Sequence, residues 1–244
     1  VNQIYDQIKD LHGEGKFKFC AYMPMDSYGW TGCLNDFASQ WDSIVTYTEF
    51  GAQEFHAAGV KKPVSVIPHG ITDGQFYPMN KSECRKQLGI PEDSFVVFNG
   101  NRNQVRKRID ITIDAFAQFA VDKPDARLYL HMGTKDQGWD ILSLFARQMR
   151  RYGVDPTNRI IMSTKEVHPP SLPVELLNTI YNTADVGVNT CKGEGHGLVN
   201  HEHAACGVAQ VVPNHTSCKE IFEDAGLLID NIFFDVDPSY NRDM

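Results

Sequence analysis

The feature of this sequence that most constrains its fold is a regular alternation of short apolar segments and amphipathic segments from residue 94 onward. The apolar segments are rich in β-branched and aromatic residues and end in turn formers or polar residues, which is typical of buried strands. Between them, apolar residues recur three or four positions apart, as at Ile109, Ile113 and Phe116, which is the spacing of a helix face. This order predicts an α/β fold: a Rossmann-like parallel sheet with helices on both faces.

The predicted elements divide the chain into two parts. Strands are predicted at 94–99, 127–132, 159–163, 186–189 and 208–212, with helices at 109–120, 139–152, 174–183 and 198–206. Before them come predicted strands at 17–22, 43–47 and 64–67, and helices at 48–58 and 81–88. Turn-forming residues are dense between positions 67 and 78, which favours a connection between domains. We therefore predict that residues 1–76 form the tail of one Rossmann-like domain with a linker, and that residues 77–244 form a second domain.

Composition excludes some classes of function. With 23 Lys and Arg against 31 Asp and Glu, the formal net charge is −8, which argues against a general nucleic-acid surface. The six cysteines form no CxxC pair, and no apolar run reaches the roughly 18 residues of a membrane span. We expect a cytoplasmic protein with reduced thiols and, because the sequence begins at Val1, the later portion of a longer chain. A basic helix end at Arg147, Arg150 and Arg151 leaves peripheral contact with anionic lipid open, although compensation of the helix dipole explains it more simply.

Two loops are candidates for a ligand site, because doubly wound sheets bind ligands at the carboxyl ends of their strands. The first follows the strand at 94–99 and holds four cations within seven residues, at Arg102, Arg106, Lys107 and Arg108. An anion bound there would gain from guanidinium contacts and from the dipole of the following helix. A solvated charged turn explains these charges equally well, and the sequence has no P-loop pattern.

The second loop spans residues 191–197 and precedes a helix that begins near Leu198. Its three glycines, at 193, 195 and 197, let the backbone approach a ligand closely, and free amides at a helix start suit a diphosphate. Glu194 lies in this loop, and Glu202 lies inside the helix that follows. A carboxylate beside a phosphate is electrostatically costly unless it faces hydroxyl groups, so this pair indicates a sugar-bearing ligand.

The stretch from Glu194 to Gly207 resembles the E-x7-E signature of the retaining glycosyltransferases of group 1 (family 4), which have the GT-B fold. Gly100, Arg102 and Lys107 resemble the G-R-x4-K segment of the same family. Shorter similarities lie in residues 66–71, at Gly133 and in residues 181–186, so that the resemblance covers about residues 43–230. It implies that residues 77–244 are a donor-binding domain and that residues 1–76 are the end of an acceptor-side domain. The chain departs from the family pattern at Asn189-Thr190, Ala209 and Thr216-Ser217.

The resemblance implies an enzyme that moves a sugar from a nucleotide-diphosphate sugar of the UDP or GDP type to an acceptor hydroxyl. It also implies retention of the anomeric configuration and no requirement for a metal or another cofactor. Arg102 and Lys107 would hold the diphosphate and stabilise the leaving group, and Glu194 would contact the transferred sugar. Donor-binding roles are implied for Gly100, Gly195, His196, Gly197, Leu198, Val199 and Glu202, the last through the ribose hydroxyls.

The acceptor stays open: a glycan, a lipid or a protein. Asp26 could accept a hydrogen bond from an acceptor hydroxyl, although a turn capped by this carboxylate is the simpler interpretation. Tyr28, Trp30 and Trp41 are candidates for a sugar-stacking platform or for an ordinary aromatic core. The alternative function is a non-catalytic or incomplete module of the same fold that binds a sugar nucleotide or a glycan.

Cysteines and histidines near the second loop raise the question of a zinc site. His201 and His203 are two positions apart on a helix and face about 200° away from each other, so this pair cannot share a metal. His196 with Cys191 or Cys206 remains geometrically open. Buried thiols and a histidine that contacts sugar explain the same residues more simply, and we predict no metal.

Overall fold

The computed structural model describes residues 2–30, 32–168 and 171–230, together with the backbone of 236–237 and 242–243. These residues form two parallel sheets and one short antiparallel pair. The first sheet has the order β1-β2-β3, built from Cys20–Met23 (β1), Ser43–Thr46 (β2) and Val64–Val66 (β3). The second sheet has the order β6-β5-β4-β7-β8-β9, built from Phe95–Asn99 (β4), Ala126–Leu130 (β5), Ile160–Met162 (β6), Val186–Val188 (β7), Ala209–Pro213 (β8) and Leu227–Ile229 (β9). The antiparallel pair joins Val236–Asp237 (β10) and Arg242–Asp243 (β11).

α-Helices alternate with the parallel strands along the chain. In the described residues they are Asn2–Gly13 (α1), Gly32–Ala38 (α2), Glu49–Ala57 (α3), Lys81–Leu88 (α4), Ile109–Phe119 (α5), Ile141–Arg151 (α6), Val174–Tyr181 (α7), Leu198–Ala205 (α8) and Thr216–Phe222 (α9). Each strand and helix predicted from the sequence is present, and the largest shift of a boundary is three residues, at the start of β1. The elements α1, α2, α9, β9, β10 and β11 were not predicted. Both α2 and α9 have seven residues, which is too short for a helical repeat to be visible.

Successive residues along each strand of the second sheet point to opposite faces of the sheet, and they contribute to two separate cores. On one face, Val97 and Leu128 pack with the buried side of α5 and α6. On the other face, Val96 and Phe98 pack with α7. Because helices cover both faces, the predicted Rossmann-like α/β class is confirmed.

The strand order places a switch point between β4 and β7. From β4 the sheet continues through β5, whereas from β7 it continues in the opposite direction through β8. The loops that leave these two neighbouring strands therefore diverge and form a crevice at their carboxyl ends, where doubly wound sheets bind ligands. These are the two loops that the sequence singles out as candidates.

The segment around the predicted domain boundary packs on the second sheet. The ring centroid of Phe76 lies 5.4 Å from that of Tyr181 in α7, and the amide of Met79 donates to Oδ1 of Asn182 (2.7 Å). The limits 1–76 and 77–244 stay a prediction, with the boundary in the stretch between β3 and α4.

The part of the chain with the first sheet, up to β3, is here called the first unit, and the part from α4 onward is called the second unit. A carboxylate of the second unit caps a helix of the first. Glu220 on α9 accepts hydrogen bonds from the amides of Glu49 and Phe50, each 2.9 Å long, at the start of α3. The hydroxyl of Thr48 accepts from the next amide, that of Gly51 (3.1 Å). Negative charge at this end of a helix is stabilised by the helix dipole, so the contact between α9 and α3 ties the two units together.

Candidate functional site

The loop after β4 meets the loop after β7 at the crevice; residues 191–197 of the latter are here called the glycine loop. The amide of Lys192 donates to the carbonyl of Arg106 (2.9 Å), and the guanidinium of Arg106 donates to the carbonyl of Gly193. The ammonium of Lys107 forms an ion pair with the carboxylate of Glu194. Both side chains are largely buried, with 12% and 8% of their surface exposed. The structure therefore brings together Lys107 and Glu194, two of the three residues predicted to be catalytic.

Arg106 lies between two carboxylates from distant parts of the chain. Its Nη1 is 3.5 Å from Oδ2 of Asp26 and 3.7 Å from Oε2 of Glu194. Asp26 follows β1, so the predicted acceptor-side carboxylate lies beside the glycine loop. With Lys107, two cations face two carboxylates, and a bound diphosphate would compete with these carboxylates for the cations. The sequence placed Arg106 in a cluster of cations but gave no signal for this bridging position.

The side chain of Arg102 contacts a different loop. Its guanidinium donates two hydrogen bonds, of 2.6 and 3.1 Å, to the carboxylate of Asp136 in the loop after β5. The hydrogen bond from Arg102 is the main cause that lowers the pKa of Asp136 below its ordinary value. The structure thus separates the two cations that the resemblance assigns to the diphosphate: Lys107 contacts Glu194, and Arg102 contacts Asp136. The role of Arg102 at a diphosphate stays a prediction.

The glycine loop ends at the start of α8. Gly197 has a φ of 82°, a left-handed conformation that favours glycine, and its carbonyl accepts from the amides of Asn200 and His201. The amides of Leu198 and Val199 belong to the first turn of α8, where backbone N–H groups have no acceptor within the helix. Gly100 lies at the foot of this turn, since a Cβ there would be 2.9 Å from Cγ1 of Val199.

The glycine loop also packs directly on the segment that follows β1. A Cβ on Gly193 would collide with the carbonyl oxygen of Asp26, and a Cβ on Gly195 would collide with the ring of Pro24. Only glycine permits this close approach of two backbones. The two units of the chain therefore meet at the same loop that carries Glu194.

Glu202 is oriented by a buried tyrosine. The hydroxyl of Tyr181 in α7 donates to Oε2 of Glu202 (2.9 Å), and burial raises the pKa of the Glu202 carboxyl. Tyr181 itself is almost fully buried, and desolvation together with the nearby Glu202 carboxylate raises its pKa. The hydroxyl of Tyr181 therefore sets the orientation of the predicted ribose-binding carboxylate, which lies in the second turn of α8.

Three histidines of the glycine loop and α8 have different surroundings. Nε2 of His196 lies 3.1 Å from Nδ1 of His201, and its ring is 5.1 Å from that of His69 on the linker. Burial, with smaller contributions from these two rings, lowers the pKa of His196 to about 4, which keeps its imidazole neutral at pH 7. His203 is buried instead against Phe98, with Nε2 3.1 Å from the carbonyl of Tyr181.

The cysteines considered for zinc have other partners. The thiol of Cys191 contacts that of Cys218, and burial raises the pKa of Cys191 well above its ordinary value. The thiol of Cys206 donates to Oδ1 of Asn178 (3.1 Å). Across the described ranges, no three His, Cys, Asp or Glu residues are arranged to hold a metal ion. In the same ranges, none of the helices combines the length and the apolar character needed to cross a membrane.

The aromatic residues considered for sugar stacking belong to the core of the first unit. Trp41 is 2% exposed in the cluster beneath the first sheet, and Tyr28 and Trp30 pack against the same cluster. The ring of Tyr28 contacts that of Phe50 edge-on, with centroids 5.0 Å apart. Their positions favour the interpretation as an aromatic core.

Comparisons with known proteins match a large part of this chain. The sequence model of the family described as glycosyl transferases group 1 matches residues 93–233. The D-inositol 3-phosphate glycosyltransferase of Geodermatophilus obscurus is 29% identical over 178 residues, which cover 70% of this chain and 37% of that protein. Mannosylfructose-phosphate synthase of Agrobacterium fabrum is 27% identical over 161 residues, which cover 64% of this chain and 33% of that protein. The chain therefore spans less than half the length of these curated relatives.

Solved structures share the fold. Anabaena HepE in complex with UDP and glucose superposes with a TM-score of 0.68 and 19% identity, covering 88% of this chain and 58% of that one. Sucrose-phosphate synthase from Thermosynechococcus elongatus superposes with a TM-score of 0.64 and 24% identity, covering 82% of this chain and 49% of that one. These similarities confirm the fold that the sequence resemblance implied.

Proposed function

Because this chain belongs to the glycosyl transferases of group 1, we propose that it binds a nucleotide-diphosphate sugar in the crevice between the loops after β4 and β7. In the whole protein, the sugar is transferred to an acceptor hydroxyl. The observation that carries the proposal is the meeting of Lys107 and Glu194 beside the start of α8. A cation, a carboxylate and helix amides at one point suit a ligand that joins a diphosphate to a sugar.

The diphosphate replaces some of the contact that the Lys107 ammonium makes with the Glu194 carboxylate. It accepts hydrogen bonds from the amides of Leu198 and Val199 and from the Lys107 ammonium, and Arg102 joins it by leaving Asp136. Charge that develops on the leaving phosphate is stabilised by these donors, so the reaction needs no metal or other cofactor. Glu194, released from part of its contact with Lys107, accepts hydrogen bonds from the sugar hydroxyls.

The nucleoside lies next to α8, where Glu202 accepts hydrogen bonds from the ribose hydroxyls. The hydroxyl of Tyr181 occupies one side of that carboxylate and fixes its orientation. A donor of the UDP or GDP type fits this arrangement, and the presence of UDP and glucose in the HepE structure supports the uridine form.

Transfer proceeds with retention of the anomeric configuration. The acceptor hydroxyl attacks the sugar on the face from which the phosphate departs, and a phosphate oxygen takes the hydroxyl proton. A covalent intermediate on Glu194 is less favoured, because double displacement needs a carboxylate on the opposite face of the sugar. Asp26 stands at the acceptor side of the glycine loop and accepts a hydrogen bond from the incoming hydroxyl. The acceptor is a glycan, a lipid or a protein.

Calorimetric binding tests this proposal. The panel is UDP, GDP and ADP with UDP-glucose, GDP-mannose and ADP-glucose, and the variants are Lys107→Met and Glu202→Gln. Lys135→Met is the control, since Lys135 forms an exposed ion pair with Asp140. We expect one nucleotide to bind and both site variants to lose about tenfold or more in affinity, which is ~1.4 kcal/mol. The control should bind like the wild type.

Each result has a distinct meaning. Binding that both variants weaken supports a donor site, and release of free sugar from the bound donor then supports catalysis. Binding without sugar release or transfer would favour the alternative function, a module that binds a sugar nucleotide. If a folded sample binds no member of the panel, the proposed donor site is wrong.

A further inference from the structure

Helix α9 holds the backbone of Glu194, whereas Lys107 and Arg106 contact its carboxylate. The amide of Glu194 donates to Oγ1 of Thr216 (3.2 Å), and the hydroxyl of Ser217 donates to the carbonyl of Glu194 (2.7 Å). The amide of Ser217 reaches the same carbonyl at 3.4 Å. We propose that Thr216 and Ser217 are positioning residues that fix the direction in which Glu194 presents its carboxylate to the donor sugar. This inference rests on the proposed function.

Burial makes these hydrogen bonds decisive for the position of the loop. The exposed fractions are 3% for Thr216, 0% for Ser217 and 6% for Glu194, so water has little access to replace a lost partner. A buried N–H or C=O group without a partner is costly, and the glycine loop can therefore move only by leaving two such groups unpaired. The backbone of Glu194 is thereby fixed while its side chain can exchange partners.

The backbone of Thr216 supports a role for its side chain. Its φ is 50°, in the left-handed region that β-branched residues rarely occupy and that glycine adopts without strain. Its amide also donates to the hydroxyl of Tyr28 (3.4 Å), which belongs to the first unit. A strained threonine here gains something that glycine could not supply, and the observed gain is the hydrogen bond that Oγ1 accepts from the Glu194 amide.

The position of Glu194 affects how tightly the sugar is bound and not how tightly the nucleotide is bound. A hydrogen bond between a carboxylate and a sugar hydroxyl weakens steeply with misalignment, so a shift of the Glu194 backbone reduces the contribution of the sugar to binding. The diphosphate is held by the start of α8 and by Lys107, which these two residues do not touch in the described contacts. The measure is therefore the ratio of the affinity for the sugar nucleotide to that for the nucleotide alone.

The test compares Thr216→Ala with Thr216→Ser, which lose the same methyl group and differ only in the hydroxyl. Hydrogen exchange of the Glu194 amide and calorimetry with UDP and UDP-glucose are measured for both, or with GDP and GDP-mannose if the wild type binds guanine nucleotides. In Thr216→Ala, we expect faster exchange at Glu194 and a ratio that falls about two- to tenfold, as expected for one hydrogen bond, with unchanged affinity for the nucleotide alone. Thr216→Ser should behave like the wild type.

Two further variants distinguish an effect on the position of Glu194 from an effect on the stability of the protein. Thr216→Gly also lacks the hydroxyl but relieves the backbone strain, so it should unfold at a higher urea concentration than Thr216→Ala and still show the reduced ratio. Ser217→Ala should show the same reduction. If hydrogen exchange of the Glu194 amide is unchanged in Thr216→Ala, the hydrogen bond to Thr216 does not hold the loop and the proposal is overturned. If this exchange becomes faster but the affinity ratio is unchanged, the positioning role is overturned. If the wild type binds no nucleotide, the proposed function itself fails and this role fails with it. If the wild type binds the nucleotide but binds the sugar nucleotide no differently, only the positioning role is overturned.

Discussion

Removing the charge of Lys107 should destabilise this protein much more than removing an exposed lysine. Lys107→Met keeps most of the side-chain volume but removes the ammonium paired with Glu194, whose side chain is 8% exposed. The polar neighbours that then remain near the carboxylate are the amide of Asn189 at 3.5 Å and the guanidinium of Arg106 at 3.7 Å. The variant therefore leaves a buried carboxylate that is only partly compensated.

The magnitude follows from burial and from the remaining cation. Removing one partner of a buried ion pair costs ~3–5 kcal/mol of unfolding free energy, and the nearby Arg106 places the expected value at about 3 kcal/mol. The control is Lys135→Met, whose ion pair with Asp140 has side chains 62% and 42% exposed. Exposed pairs of this kind contribute less than ~1 kcal/mol. The double variant Lys107→Met/Glu194→Gln removes both charges and should be more stable than Lys107→Met, because no unpaired charge remains.

Urea unfolding at pH 7, followed by tryptophan fluorescence and circular dichroism, measures these three variants. The single variant Glu194→Gln completes the double-mutant cycle and gives the coupling free energy of the pair. We expect a coupling of roughly 2 kcal/mol between positions 107 and 194, within the range for residues in direct contact. The reasoning is refuted if Lys107→Met costs no more than Lys135→Met. It is also refuted if adding Glu194→Gln to Lys107→Met lowers stability further.

Three other predictions concern groups around the site. Burial lowers the pKa of His203 from 6.5 to about 4, so the unfolding free energy should fall as the pH drops from 6.5 towards 4, and His203→Phe should flatten this slope in urea unfolding at several pH values. Tyr181→Phe removes the hydrogen bond to Glu202, and we expect calorimetry to show nucleotide affinity reduced about two- to tenfold, whereas an unchanged affinity would contradict the orienting role. Glu220→Gln weakens the cap on α3 and should cost about 1 kcal/mol in thermal unfolding, with Glu223→Gln, one turn away and exposed, as the neutral control.

The sequence was sufficient for the fold class and for singling out the two candidate loops. Local apolar periodicity is set by which face of each element is buried, and it located the strands of the second sheet up to β8 without any knowledge of their order. The two candidate loops followed because a parallel sheet must present its ligand at the carboxyl ends of its strands. The motif from Glu194 to Gly207 indicated the family, because a motif is defined by residue spacing along the chain and needs no knowledge of the three-dimensional structure.

Short elements were not predictable in the same way. Helix α9 has seven residues, begins at a threonine with a left-handed backbone and is stabilised by contacts with the glycine loop and α3. None of these contacts is local in sequence: Glu220 meets Phe50 at a separation of 170 residues. Propensity over one or two turns is too weak to specify such a helix, so packing decides it.

The sequence by itself determined an α/β fold with a cluster of four cations after one strand and a glycine-rich loop after another, because both follow from residue type and spacing. Only the tertiary structure decided which cation serves which carboxylate. Arg102 pairs with Asp136, 34 residues away, while Lys107 pairs with Glu194, 87 residues away. Electrostatic attraction depends on distance in space and on exclusion of water, and neither quantity can be read from positions along a chain.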